Sequence, residues 1–397
     1  MSSSVTAANR PSPEEMVARA RALAPVLRDR AAACEAARRC PDETIADFYA
    51  AELNRLIQPA RYGGYEMGWD VLCQAAFAMA HGCASQGWVL TVYGDHAQCI
   101  GMLEQSAQDA VWGDNPKALV CASFGAQGAA KRVAGGAVMS GRWSFASGID
   151  HASWMLVGSR LVEDGAQGPG DHTFFLVPKS EATVIDDWHV VGLAGTGSKS
   201  FTLDEVFVPD DRMIPGERAN AGRLSDGSGN TAPVFRVPRM STAGFGLAAV
   251  AVGGARGMLD AFVDAARKRV TRGTVIAEEQ YVQIEIAESA AALRAAETVI
   301  LAGAAEMMAR NLRNEAATPL LRTENKRDAA YAVRIARETV DRLFALSGGN
   351  SLRTDNAIQR HFRDVHAAAS HYGLRWDNNA MPYGRVALGL DPLPGTY

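Results

Sequence analysis

The sequence predicts an α+β chain in α–β–α order: a helical N-terminal domain, a central antiparallel β domain and a C-terminal four-helix bundle. Three observations carry that reading. The hydrophobic period is helical up to about residue 112, shifts towards two between about 118 and 214, and becomes helical again from about 235. Gly, Asp and Pro cut the middle zone into short runs with no helical stretch between them, which argues against βαβ units. The 397 residues suit two or three domains, placed here at 1–116, 117–230 and 231–397.

Each element follows from local chemistry. Ser12 is a good N-cap, Pro13 suits the first helical position, and Glu14 and Glu15 complement the helix dipole. A second helix starts at Pro41-Asp42-Glu43, and Tyr62-Gly63-Gly64-Tyr65 reads as a turn. Ala-rich helical segments run through Gln86-Gly87-Trp88 to Val111. The strands are predicted around Ala118–Ala122, Trp154–Gly158, Thr173–Val177 and Phe201–Val208. Gly216–Asn230, rich in Gly, Ser and Asn, is read as a mobile connector or lid. Ile286, Leu293, Ile300 and Met307 fall at heptad spacing, and Ala332, Ile335, Thr339, Leu343 and Leu346 continue a helical stripe. Such faces suit an antiparallel bundle.

Composition narrows the classes. With 40 basic and 44 acidic residues the net charge is −4, and there is no basic cluster of the kind that binds nucleic acid. The start, MSSSVTAANRPSPEEM, has no basic and apolar signal pattern, and Phe245–Phe262 is broken by Arg256 and Asp260, so a buried helix is expected there rather than a membrane span. Six cysteines lie in the first third with no CxxC pair, so reduced buried thiols, no metal centre and a cytoplasmic location are expected. No GxGxxG opens a helix after a strand, which argues against a nicotinamide site.

Four strings occur in an order that resembles the acyl-CoA dehydrogenase fold. They are Pro59-Ala-Arg-Tyr-Gly-Gly64; Trp188-His-Val-Val-Gly-Leu-Ala-Gly-Thr-Gly-Ser198 with Asp204-Glu-Val-Phe-Val-Pro209; Arg269, Gly273 and Gln280-Tyr-Val-Gln283; and Leu346-Ser-Gly-Gly-Asn350 with Arg360-His-Phe-Arg-Asp364. The resemblance spans about residues 13–385. It implies a flavin between the β domain and the bundle, and a homotetramer. A dehydrogenase of that fold needs a glutamate to remove the proton α to the thioester carbonyl. Here no Glu follows Glu338, and none lies between Glu217 and Glu278.

Other strings are similar to the oxygenase components of two-component, reduced-flavin-dependent monooxygenases: Ala84-Ser-Gln-Gly-Trp88 with His96, Cys121-Ala-Ser123, Gly141-Arg-Trp-Ser-Phe-Ala-Ser147-Gly148, and Phe362-Arg-Asp-Val-His366 to His371-Tyr372. That resemblance implies FADH2 or FMNH2 from a separate NAD(P)H-dependent reductase, O2 as co-substrate, and hydroxylation of a small phenol- or indole-type substrate through a flavin C4a-hydroperoxide. N- or S-oxygenation is the alternative within the branch, and an acyl-CoA dehydrogenase the alternative outside it. It places Ser147 at flavin N5, although the same Ser also suits a β turn beside Gly148. His371 is the expected proton donor, with His366 competing for the role. His96 and Ser123 would hold the substrate's polar group and Trp88 would wall the ring. Trp143, Ser144 and Phe145 would line the isoalloxazine, Thr196 and Ser198 the ribityl chain or phosphate. Arg269, Gly348 and Gly349 would meet the far end of the cofactor across a subunit interface, while Arg272 replaces an aromatic and leaves FAD or FMN open.

Overall fold

The computed structural model describes residues 10–391 except 164, 166, 167, 169 and 272. The expectations on the first nine residues and on Arg272 therefore lie outside the described residues.

Helix α1 (Pro13–Ala37) begins with the capping box its sequence predicts: Ser12 Oγ accepts from Glu15 N at 3.2 Å, and Glu15 accepts from Ser12 N at 2.6 Å. After α2 (Asp42–Ala50) the chain turns at Gly63, φ 85°. Helices α3 (Trp69–Gly82), α4 (Ala84–Met102) and α5 (Gln105–Trp112) complete the first region. Every residue of α4 except Gly94 is buried. Polar side chains on so enclosed a helix, among them Asp95, His96 and Gln98, must each find a partner or do chemistry.

The sheet comprises β1 (Val120–Ser123), β2 (Ala129–Val133), β3 (Gly136–Ala146), β4 (Trp154–Val162), β5 (Asp171–Pro178), β6 (Thr183–Ile185), β7 (Lys199–Pro209) and β8 (Met213–Pro215). Their order is β6-β7-β3-β2-β4-β5-β8, with β1 also beside β4. The sheet is mixed rather than wholly antiparallel, because β1 and β2 both run parallel to β4. Its own core gathers Met139, Trp143, Met155, Phe175, Val177 and Phe201.

The expected mobile connector is instead pinned. It opens with a short helix, α6 (Gly216–Asn220), and then packs on α4 and α5. Ser228 Oγ donates to Gly101 O at 2.8 Å, Asn230 Nδ2 donates to the same carbonyl at 2.7 Å, and Gln105 N donates to Gly227 O at 3.0 Å. Composition marks a loop, but these partners lie more than a hundred residues away.

Helices α7 (Arg239–Lys268), α8 (Gln280–Leu312), α9 (Pro319–Ser347), α10 (Ala357–Ala369) and α11 (Trp376–Ala387) form the C-terminal bundle, with a small hairpin of β9 (Val270–Thr271) and β10 (Thr274–Val275) before α8. Helix α7 is long and apolar enough to cross a membrane, but 72% of its most apolar stretch is buried inside the protein, which makes it a core helix. The heptad residues Leu293, Ile300 and Met307 are buried, as are Ala332, Thr339 and Leu343 on α9.

Candidate active site

The N-terminal half of α4 meets two turns of the β domain, and of the expected site residues Trp88, Ser147, Ser198 and His371 meet there. The β3–β7 register slips between Trp143 and Ala146, and Phe145 adopts φ 65°. That irregularity turns the chain so that Ser147 faces α4. Trp88 Nε1 donates to Ser147 Oγ at 3.2 Å, and Ser147 Oγ lies 2.7 Å from Ser198 Oγ. Gly148 follows at φ 75°; a Cβ there would come within 2.6 Å of the Tyr93 hydroxyl, which itself donates to Gly148 O at 2.6 Å. Only glycine fits both the dihedral and the space.

Trp88 also touches His371, its ring edge-on at a centroid distance of 5.7 Å. His371 is open to solvent, yet surrounding protein lowers its pKa to about 4, chiefly by desolvation and then by the charge of Arg239. Gly373 N donates to His371 Nδ1 at 3.2 Å, so the neutral ring carries its proton on Nε2. His366, the competing histidine, pairs with Asp341 at 2.9 Å, its ring tilted against Phe362 at a centroid distance of 4.4 Å.

His96 lies two turns beyond Trp88, about 12 Å along the helix axis. Its Nδ1 donates to Val120 O at 2.6 Å, because a carbonyl can only accept; Nε2 is then the unprotonated nitrogen. Desolvation lowers its pKa to about 4, so it too is neutral at pH 7. The two histidines thus have opposite tautomers, one offering an acceptor and the other a donor.

The sequence reading missed the pair between them. Arg239, at the start of α7, meets Asp95 at 3.3 Å, with the guanidinium 3.6 Å from the Phe124 ring centroid. Both side chains are buried, and both act electrostatically on His96 and His371. The spacing of Asp95 one residue before His96 was the available signal. Arg239 holds Asp95 through Oδ2, while Oδ1 of the same carboxylate is buried without a partner. Phe124 packs edge-on against His96 and Phe174 and forms an apolar wall.

Other expected residues fall elsewhere. Trp143 does not line the site: its ring is wholly buried in the β core, stacked on Phe201 at 5.7 Å, with Nε1 donating to Gly158 O at 2.8 Å. Strand alternation places its side chain on the inner face, ahead of the register slip. Phe145 is 69% exposed and meets Trp188 edge-on. Ser123 Oγ donates to Ser144 O at 2.8 Å, and Ser144 Oγ accepts from Ser200 Oγ at 3.1 Å, so both bind strand to strand. Thr196 and Ser198, expected at the ribityl chain or phosphate, turn their hydroxyls inward behind Ser147, 2.7 Å from each other. Arg269 Nη1 donates to Leu346 O at 3.0 Å beside Gly348, with Gly349 the next residue. That group lies at the far end of α7, about 45 Å of helix from Arg239. A groove of about 380 Å³ between α1, α3, α7 and α8 is lined by none of the expected residues.

The donor set fits the reduced flavin expected from the resemblance. Ser147 Oγ has room for one more hydrogen bond, His371 offers Nε2–H, and Phe145 presents an exposed aromatic ring.

Comparison with known proteins agrees. Residues 245–376 match the family model for the acyl-CoA dehydrogenase C-terminal domain. The chain is 33% identical over 373 residues to the flavin-dependent monooxygenase oxygenase subunit HsaA of Mycobacterium tuberculosis, covering 93% of this chain and 94% of that one. The crystal structure of that monooxygenase superposes with a TM-score of 0.92 at 32% identity, over 98% of this chain and 100% of that chain. The oxygenase component of an FADH2-dependent resorcinol hydroxylase from a Rhizobium species is 34% identical, covering 95% of each chain. XiaF from a Streptomyces species, solved with FADH2 and glycerol, is 28% identical with a TM-score of 0.89, over 96% of each chain.

Proposed function

Since this chain belongs to the flavin-dependent monooxygenase oxygenase components, we propose that it holds reduced flavin between Ser147 and His371 and hydroxylates a phenol- or indole-type ring placed beside Trp88 and His96. It is an oxidoreductase of the aromatic-hydroxylase kind, using a reduced flavin cofactor. The observation that carries the placement is that one side chain, Trp88, contacts both Ser147 and His371.

When bound, the reduced flavin supplies two electrons to O2, one oxygen atom entering the substrate ring and the other leaving as water. The chain's residues govern protons and water around it. Ser147 holds the proton at flavin N5, whose early loss would release hydrogen peroxide. His371 donates from Nε2 and, with its low pKa, stays neutral across the working pH range. His96 accepts the substrate's O–H or N–H at Nε2 and so raises electron density on the ring carbon that takes the oxygen. Ser123 and Ser144 hold the adjacent strands in place, and Phe124 and Trp88 shut out water.

The reduced flavin comes from a separate reductase, in keeping with the words oxygenase subunit and component in the relatives' names. Arg269 and Gly348-Gly349, grouped at the C-terminal end of α7, would meet the far end of the cofactor from a second copy of the chain within a homotetramer.

Purified protein supplied with NAD(P)H, a flavin reductase, FAD or FMN and O2 should convert a panel of phenols and indoles to hydroxylated products. Hydrogen peroxide alone across the panel would overturn the reading. Reduction of oxidised flavin by an acyl-CoA would favour the dehydrogenase.

A further inference from the structure

The hydroxyls behind Ser147 have a direction, which acceptor counting reveals. Leu193 O is a carbonyl and can only accept. Thr196 Oγ1 lies 2.8 Å from it, so Thr196 donates its one proton there. Ser198 Oγ, 2.7 Å from Thr196 Oγ1, then donates to Thr196. Ser147 Oγ, 2.7 Å from Ser198 Oγ, in turn donates to Ser198. Trp88 Nε1 donates to Ser147 from the other side. Ser147 is left with one lone pair and no proton to offer.

The order is built in. Thr196 is 1% exposed and Ser198 5%, so solvent has little access to reorient them. Leu193 is itself fixed: it holds φ 53°, its N–H donates to buried Asp364 at 2.6 Å, and Trp188 Nε1 donates to its carbonyl at 3.3 Å. Reversing the relay requires all three hydroxyls to rotate and forfeits the bond from Thr196 to Leu193 O.

We propose that Thr196 and Ser198 are positioning residues that aim Ser147 as a hydrogen-bond acceptor and thereby make the site select reduced over oxidised flavin. The inference rests on the flavin reading above. Reduced isoalloxazine carries a donor, N5–H, which an accepting Ser147 satisfies. Oxidised N5 is a bare acceptor and would face Ser147 lone pair to lone pair unless the relay reversed. Loss of one net buried hydrogen bond corresponds to about a two- to twelvefold difference in affinity. The relay therefore favours entry of the reduced cofactor and departure of the oxidised one after turnover.

The test is equilibrium binding, independent of turnover. Full-length protein is titrated with FAD and, under anaerobic conditions, with dithionite-reduced FAD, and both series are repeated with FMN. The quantity read is the ratio of the oxidised to the reduced dissociation constant. Thr196→Val removes the hydroxyl that anchors the relay at nearly constant volume, and the ratio should fall two- to twelvefold. Thr196→Ser, which restores a hydroxyl, should restore the ratio. Ser198→Ala, which frees the Ser147 proton, should also lower it and serves as the second variant if Thr196→Val does not fold. An unchanged ratio in Thr196→Val and Ser198→Ala, with both redox forms still bound, overturns the relay alone. Failure of the unmodified protein to bind either form overturns the flavin reading and this inference with it.

Discussion

Ser147 and His371 both contact Trp88, with different equipment. Ser147→Ala removes an acceptor for Trp88 Nε1 and a partner for Ser198, but leaves the backbone turn intact. The variant should fold and should release about two- to twelvefold more hydrogen peroxide per product formed, the equivalent of one hydrogen bond. The peroxide-to-product ratio under coupled turnover measures it, and an unchanged ratio would remove Ser147 from the chemistry. His371→Ala removes the Nε2–H donor and should slow product formation about a hundredfold with little change in flavin affinity. If affinity falls in step with rate, the histidine only shapes the pocket. Both residues were legible from motif strings. Their proton positions were not, because each is set by a partner: Gly373 N for His371, and Ser198 for Ser147.

The turn after β3 and the Leu193–Ser198 segment hold the site as elements. Gly148→Ala forces a side chain into φ 75° and against the Tyr93 hydroxyl, and should cost roughly 1–3 kcal/mol in urea unfolding, with weaker flavin binding. Asp364→Ala leaves Leu193 N–H buried without its acceptor, at a cost of about 1–3 kcal/mol, whereas Asp364→Asn keeps an acceptor oxygen and should cost less. Equal losses in the two Asp364 variants would show that the carboxylate's charge, not its hydrogen bond, holds the segment. Helix starts and strand runs were visible in the sequence because capping and periodicity are local. Trp143 was misplaced because strand alternation sets which side of β3 it takes, and the one-residue register slip that redirects the chain comes only after it. Gly216–Asn230 was misread because its composition shows flexibility while its partners, Gly101 and Gln105, lie far upstream.

Across the whole molecule, buried titrating groups give stability a pH dependence. His96, His361 and His371 are each pushed down to about 4 by desolvation, against about 6.5 in the unfolded chain. Between those values the unfolded state binds more protons, so stability falls as pH drops from about 6.5 towards 4 and is level above 7. Asp364 is raised to about 6 by burial and acts in the opposite sense, losing stability as pH rises from about 4 to 6. Three groups outweigh one. Melting temperatures should therefore hold steady from pH 8 to 7 and decline on acidification to pH 4.5; a flat profile would contradict the burial of His96 and His361.

From its residues alone, the chain declared its α–β–α order, its resemblance to a flavoprotein fold, the lack of the dehydrogenase glutamate, and Ser147, Trp88, His96 and His371 as candidates. The order lives in local period, which chain-neighbour sterics impose; the fold family and the candidate residues came from the resemblance of short strings to a known family. The tertiary structure alone decided the Asp95–Arg239 pair, the opposite tautomers of the two histidines, the inward course of the hydroxyl relay and the retreat of Trp143 into the β core. Each of these depends on hydrogen bonds or packing between segments remote in sequence, 59 residues for Trp88 to Ser147 and 144 for Asp95 to Arg239, and such bonds leave no trace in local pattern.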